Sequence, residues 1–86
     1  MTTVIAFHEI DDSDQWLSSP KREEFFGALG VSVRTFIDPG NPHNAAVLLE
    51  VPDMAALEEA LQTQEAAEAM KADGVRADTL VILTEA

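Results

Sequence analysis

Two side chains near the start of the chain could act on a small molecule. The stretch AFHEIDDSDQW (6–16) carries an apolar segment to His8, and Trp16 follows a run of acidic residues. A histidine on an apolar surface can hold a pKa near neutrality, which suits proton transfer, and an indole can stack on a planar ring. We therefore take His8 as a candidate catalytic residue and Trp16 as a candidate ligand-binding residue. The structural alternatives are a histidine that hydrogen-bonds a turn and a tryptophan that fills the core.

A second candidate set lies on two neighbouring predicted strands. If their hairpin is centred near residue 42, Arg34 faces Glu50 on a surface shared with Phe36 and Leu48. An ion pair on an apolar face is costly to bury unless it is well paired, so it lies at the rim of an interface or in a polar cavity. We take Arg34 and Glu50 as candidate catalytic residues, and Phe36 and Leu48 as candidate ligand-binding residues. A cross-strand pair that only fixes register is the alternative.

Six elements must position these residues. Runs of apolar residues predict four strands. Apolar residues at helical spacing predict one helix with Ser19 as N-cap and Pro20 in its first position, and another with Asp53 as N-cap. Thr63 is expected to cap a second segment of the latter helix after a kink, Asp73-Gly74 is expected to end that segment, and Trp16 is expected in a short turn. The residues DPGNPHN (38–44), including both asparagines of that stretch, are typical of a loop. The predicted strands are Thr2–His8, Val31–Ile37, Ala45–Val51 and Leu80–Thr84.

The order β-α-β-β-α-β is typical of a ferredoxin-like α+β fold. Right-handed crossovers place two helices on one face of a four-stranded antiparallel sheet. We expect residues 1–86 to form a single domain.

The predicted strands are apolar on both faces, although two helices can cover only one of them. An exposed apolar face of this size predicts an interface, and a homodimer through the helix-free sheet face is the expected solution. The sequence pattern assigns one face to Val4, Ala6, Phe36, Ala46, Leu48, Leu80 and Ile82, and the other to Ile5, Phe7, Val33, Ile37, Val47, Leu49, Val51, Val81 and Leu83.

Composition narrows the classes of partner. The chain has five Lys and Arg against sixteen Asp and Glu, for a net charge of −11. Such a chain is repelled by nucleic acid and by anionic membranes, so we expect neither as a partner. There is no cysteine, no metal-binding motif and no apolar run long enough for a membrane span, and Met1–Ala6 does not resemble a signal peptide. We expect a soluble, cytoplasmic protein without a metal or another cofactor.

Several segments resemble small antibiotic-biosynthesis-monooxygenase-like members of the dimeric α+β barrel superfamily. The resemblance rests on FHEID (7–11) with Trp16 beyond it, ALGV (28–31), FIDPGNPHNAAVLLEVPDMAALEEAL (36–61) and TQEAAEAMKADGV (63–75), which together span nearly the whole chain. It implies a dimeric barrel with a cavity between sheet and helices, where His8 and Trp16 would both reach. Relatives of this kind include cofactor-free monooxygenases, cyclases and isomerases.

Two functions from different classes fit these observations. The first is an enzyme or binder that acts, without a cofactor, on a small planar and mostly apolar molecule. The second is a non-catalytic assembly or accessory module that uses only its sheet surface. An enclosed cavity beside His8 and Trp16 would favour the first function.

Overall fold

The computed structural model, which describes residues 1–86, confirms the predicted ferredoxin-like α+β architecture. All four strands are antiparallel to their neighbours, in the spatial order β2-β3-β1-β4. The first predicted helix corresponds to one helix, a further short helix precedes it, and the second predicted helical region consists of two helices. The elements are β1 (Thr2–Ile10), α1 (Ser13–Ser18), α2 (Lys21–Gly27), β2 (Ser32–Asp38), β3 (Asn41–Val51), α3 (Met54–Leu61), α4 (Gln64–Ala72) and β4 (Val75–Thr84).

The segment around Trp16 is a helix, not the predicted turn. Asp12 caps α1, because its Oδ1 accepts hydrogen bonds from the backbone N–H groups of Asp14 (2.8 Å) and Gln15 (3.2 Å). Ser19, the predicted N-cap of the next helix, instead ends α1, and Pro20 precedes α2 without a side-chain capping bond. The acidic run before Trp16 therefore contributes a helix cap.

The predicted caps of the second helical region are confirmed. Asp53 Oδ1 accepts from the N–H of Ala56 at 3.2 Å, and Thr63 Oγ1 accepts from the N–H of Ala66 at 3.2 Å. The predicted kink at Thr63 separates α3 from α4. The longest helix has nine residues, and none of the helices has the length and apolar character that crossing a membrane requires.

The hairpin between β2 and β3 turns earlier than predicted. Asp38 pairs with Asn41 across the turn, and an irregularity then shifts the register so that Ile37 pairs with Ala45. Pro42 falls in this irregular part, where a missing ladder donor is tolerated. Asn41 and Asn44 consequently belong to β3 and not to a loop.

This register overturns the predicted cross-strand ion pair. Ser32 faces Glu50, and Arg34 faces Leu48. The number of residues in the irregular part of the hairpin cannot be read from the sequence. The predicted partner of Arg34 was therefore two positions away from the observed one.

The faces of the sheet also differ from the predicted assignment. Paired residues lie on the same face of a sheet, and Val4 pairs with Leu49 and Ala6 with Val47. The prediction that grouped Val4 and Ala6 with Phe36 and Leu48 is therefore wrong. The alternation of side chains along a strand separates its two faces. Only the pairing between strands decides which face of one strand lies on the same side of the sheet as which face of the next. The face covered by the helices carries Val4, Ala6, His8, Val33, Ile37, Ala45, Val47, Leu49, Val51, Leu80 and Ile82.

The helix-free face of the sheet presents two apolar rows to solvent. One row runs across the strands through Phe36, Ala46, Phe7 and Val81, and the next runs through Leu48, Ile5 and Leu83, with Arg34 at its edge. Four of these side chains are about half exposed: Phe7 (46 %), Phe36 (45 %), Val81 (52 %) and Leu83 (52 %). Both sheet faces are thus apolar, as the sequence indicated.

Two glycines of the α2 region should respond to alanine in opposite directions. Gly30 has φ +70°, and a Cβ there would meet Pro52 only at an ordinary 3.8 Å, so the cost of Gly30→Ala is in the backbone. We expect a loss of about 1 kcal/mol in the free energy of unfolding. Gly27 ends α2, and an added Cβ there would have no atom within 4 Å. Gly27→Ala should therefore increase the free energy of unfolding by about 0.5 kcal/mol. Urea unfolding measures both, and shifts of the same sign would contradict the assigned backbone geometry.

Candidate functional site

A cavity of about 230 Å³, partly open to solvent, lies between the helix-covered face of the sheet and the helices. Of the 20 residues that line it, 15 are hydrophobic. Val4, Ala6 and Ile82 contribute from the sheet, and Leu57 and Met70 from the helices. The volume is slightly below the usual range for ligand pockets, about 300–1,000 Å³. The cavity therefore suits a small and mostly apolar molecule.

One part of the cavity wall is polar and is assembled from four separate elements. His8 comes from β1, Trp16 from α1, Arg22 from α2 and Asp73 from the C-cap of α4. We call these four residues the polar cluster. Because they are far apart in the sequence, only the folded chain brings them together.

Trp16 holds the polar cluster in place. Its side chain is 1 % exposed, and the guanidinium carbon of Arg22 lies 4.3 Å from its ring centroid, within the range of a cation–π contact. The His8 ring meets it edge-on, with 5.5 Å between ring centroids and 74° between planes. Arg22 Nη1 also donates a 3.1 Å hydrogen bond to the backbone carbonyl of Trp16. One indole face is therefore occupied by protein, and Trp16 is a buried part of the cavity wall.

Arg22 and Asp73 form an ion pair that is closed off from water. Arg22 Nη1 lies 3.5 Å from Asp73 Oδ2, and the two side chains are 9 % and 6 % exposed. Burial lowers the pKa of Arg22 from its ordinary value, while the Asp73 charge opposes this effect. A guanidinium nevertheless keeps its proton under ordinary conditions, so the pair carries opposite charges.

Three atoms of the polar cluster are buried without any hydrogen-bond partner: His8 Nδ1, Arg22 Nε and Asp73 Oδ1. They are the only buried side-chain atoms in the chain in this condition. An unsatisfied buried polar group costs about 1–3 kcal/mol. This cost is concentrated in a single place on the cavity wall.

Burial keeps the His8 side chain in its neutral form. It is 8 % exposed, and burial lowers its pKa from the ordinary value of 6.5. The charge of Arg22 lowers it further, whereas the Glu9 backbone and the charge of Asp73 raise it in part. At neutral pH the imidazole is therefore uncharged and can accept a proton.

The remaining candidates from the sequence lie on the opposite side of the sheet. Arg34, Phe36, Leu48 and Glu50 are all on the helix-free face and do not line the cavity of His8 and Trp16. The Arg34 guanidinium carbon lies 5.6 Å from the Phe36 ring centroid. Glu50 accepts hydrogen bonds of 3.1 Å and 3.0 Å from Thr3 Oγ1. The six predicted site residues thus separate into two groups.

Sequence reasoning did not identify Arg22 or Asp73 as site residues. One available signal was the position of Arg22 in the first turn of α2, where the helix dipole disfavours a cation. Asp73 was interpreted only as the end of a helix, which it also is. Across the chain, no group of three or more His, Cys, Asp or Glu side chains is arranged to hold a metal ion.

Solved structures with the same fold confirm the resemblance inferred from the sequence. A crystal structure of an antibiotic biosynthesis monooxygenase is 19 % identical, with a TM-score of 0.67 over 100 % of this chain and 97 % of that chain. A conserved protein from Methanosarcina mazei Go1 is 12 % identical, with a TM-score of 0.65 over 98 % and 89 %. A proposed antibiotic biosynthesis monooxygenase from Deinococcus radiodurans is 12 % identical, with a TM-score of 0.59 over 100 % and 91 %.

These likenesses define the class of fold, which is that of the ferredoxin-like antibiotic-biosynthesis-monooxygenase structures. No protein-family model matches the sequence, and no curated protein matches it. At such low identity the shared property is the fold, so the function must be argued from the cavity itself.

The lowered pKa of His8 predicts a pH dependence of stability. The unfolded chain takes up this proton near pH 6.5, whereas the folded chain takes it up only at a lower pH. Between these two values the unfolded state binds more protons, so the free energy of unfolding falls as the pH falls. His8→Gln has no titrating side chain at this position. Its free energy of unfolding, measured with urea between about pH 7.5 and about pH 5, should therefore fall less steeply with falling pH than that of the wild type.

NMR checks the same assignment directly. The histidine ring resonance that disappears in His8→Gln should titrate with a midpoint below 6.5 in the wild type. A midpoint above 6.5, or identical slopes for the two proteins, would contradict the burial of His8.

Proposed function

We propose that the protein binds a small, planar and mostly apolar molecule in the cavity between sheet and helices, and that His8 moves a proton on it without a cofactor. The apolar cavity with a buried histidine in its wall carries this proposal. A neutral imidazole in an apolar site is a suitable general base. The solved structures described as antibiotic biosynthesis monooxygenases share this fold, which accommodates an enzyme of this general kind.

The roles within the cavity follow from position. His8 is the proton-transfer group, and Trp16 is a rigid wall that fixes the orientation of His8 and Arg22. Proton transfer alone suffices for isomerase-like or cyclase-like chemistry. Monooxygenase-like chemistry additionally requires dioxygen as a substrate.

Filling the cavity tests the binding site. Ala66 lines the cavity on α4 and is 2 % exposed, so Ala66→Leu places extra carbon atoms in the ligand space. Ala67 is its exposed neighbour on the same helix, which makes Ala67→Leu the matched control. A ligand at about 100 times its Kd adds about 2.7 kcal/mol to stability. A chemically broad panel of quinones and aromatic polyketides should therefore raise the Tm of the wild type and of Ala67→Leu, but not of Ala66→Leu.

The panel also separates the two classes of function. No shift in any protein would count against a ligand-binding cavity and favour the non-catalytic module. Equal shifts in Ala66→Leu and the wild type would show that the molecules bind somewhere else.

We also propose that two copies of the chain associate through the helix-free sheet face. The two apolar rows, with four side chains about half exposed, support this proposal. In the dimer, Phe36 and Leu48 would be interface residues, and Arg34 and Glu50 would lie near its rim. We propose this role for them in place of the catalytic and ligand-binding roles that the sequence indicated.

A charge in the middle of this face should separate the copies. Leu48 pairs with Arg34 and Ile5 within the apolar rows, so Leu48→Asp places a carboxylate where a second sheet would pack. Ala67→Asp adds the same charge on an exposed helix position. Sedimentation at micromolar concentration should show a dimer for the wild type and for Ala67→Asp, and a monomer or unfolded chain for Leu48→Asp.

The wild-type Tm should also rise with protein concentration, because dimerisation adds to stability by mass action. A wild type that sediments as a folded monomer, with a Tm independent of concentration, would overturn the proposed assembly.

A further inference from the structure

The ion pair between Arg22 and Asp73 is poorly arranged for stability. A buried pair offsets its desolvation only when its geometry is good and further hydrogen bonds satisfy the remaining donors and acceptors. Here the nearest approach is 3.5 Å, and one atom of each partner has no hydrogen bond. The only hydrogen bond of the Arg22 side chain is to the Trp16 carbonyl. Packing and pairing alone therefore do not explain why both charges line an apolar cavity.

The two unpartnered atoms of this pair are complementary in a specific way. Arg22 Nε–H can only donate, and the ionised Asp73 Oδ1 can only accept. Because Arg22 Nη1 and Asp73 Oδ2 lie 3.5 Å apart, a molecule that satisfies both side chains must present an acceptor to Arg22 and a donor to Asp73 on the same edge. The His8 ring, which has one N–H and one bare nitrogen when neutral, can support either group.

The charges around the cavity favour a neutral molecule. The positive charge of Arg22 is matched by Asp73, and a second carboxylate, Glu58, also lines the cavity. The whole chain has a net charge of −11. Because Arg22 is already paired with Asp73, a negatively charged ligand would be repelled by Glu58 and by the net charge of the chain.

We infer that the cavity takes a neutral ring molecule with one polar edge, on which a carbonyl oxygen accepts from Arg22 and an adjacent N–H or O–H donates to Asp73. This inference rests on the proposed binding function of the cavity. The unpartnered atoms have no accessible surface in the empty cavity, so the side chains of Arg22 and Asp73 must rotate for the ligand edge to reach them. The rest of the ring lies against the apolar lining.

Four bicyclic probes of similar size test the edge chemistry. 2-Quinolinone carries an N–H beside a carbonyl, N-methyl-2-quinolinone lacks the donor, naphthalene lacks both groups, and quinoline-2-carboxylate is an anion. Calorimetry on the wild type should show 2-quinolinone binding about tenfold more tightly than each of the other three, as expected for one or two net hydrogen bonds.

An isosteric substitution assigns the donor contact. Asp73→Asn removes the charge of the acceptor and should weaken 2-quinolinone binding about tenfold, because a charge-assisted hydrogen bond is lost. Binding of N-methyl-2-quinolinone should stay unchanged. Asp78→Asn removes an exposed carboxylate of β4 that does not line the cavity, and it should alter neither probe.

The outcomes distinguish this inference from the proposed function. Equal binding of 2-quinolinone, its N-methyl derivative and naphthalene would overturn the inference and leave a purely apolar binding cavity standing. Tighter binding of the carboxylate would overturn it in favour of an anion site at Arg22. Failure of all four probes to bind would contradict both the inference and the binding function. Because all of these outcomes are read from the four probes on the wild type, they can be distinguished even if Asp73→Asn does not fold.

Discussion

The burial of Trp16 is the constraint on which the polar side of the cavity depends. The indole lies under the sheet with 1 % exposure, and it contacts His8 by its edge and Arg22 by its face. Its backbone carbonyl also accepts from Arg22, which in turn reaches Asp73. A single aromatic side chain thus links β1, α1, α2 and the end of α4. Trp16 lies on α1, the helix that Asp12 caps after β1. The acidic residues after β1 therefore help to place the indole in this position.

The pairing of β1 with β3 gives the two faces of the sheet separate roles. Because Val4 pairs with Leu49, the even residues of β1 share the helix-covered face with the odd residues of β3. His8 therefore lies inside the cavity, while Phe7 is exposed on the other side. The proposed ligand site and the proposed assembly surface lie on opposite faces, so a change on one face can be made without altering the side chains of the other.

Local patterns in the sequence predicted most of the architecture. The element order, the caps at Asp53 and Thr63 and the apolar character of both sheet faces depend on neighbouring residues, which a sequence displays directly. His8 and Trp16 were predicted to share one cavity wall, and they do. The register was missed because a bulge at the start of β3 absorbs an unknown number of residues. Arg22 and Asp73 were missed because their partnership exists only once α2 and α4 lie side by side.

The most direct test of the proposed ligand site beside the polar cluster is a ¹H–¹⁵N NMR titration with 2-quinolinone. The chain has one tryptophan, so the indole N–H of Trp16 gives a single, unambiguous signal in the cavity wall. The expected result is a saturating shift of this signal together with the amides of Ala6 and Ala66, while the amides of Phe36 and Leu48 on the helix-free face stay unchanged. Shifts confined to the helix-free face, or no saturation at any residue, would contradict a binding site between the sheet and the helices.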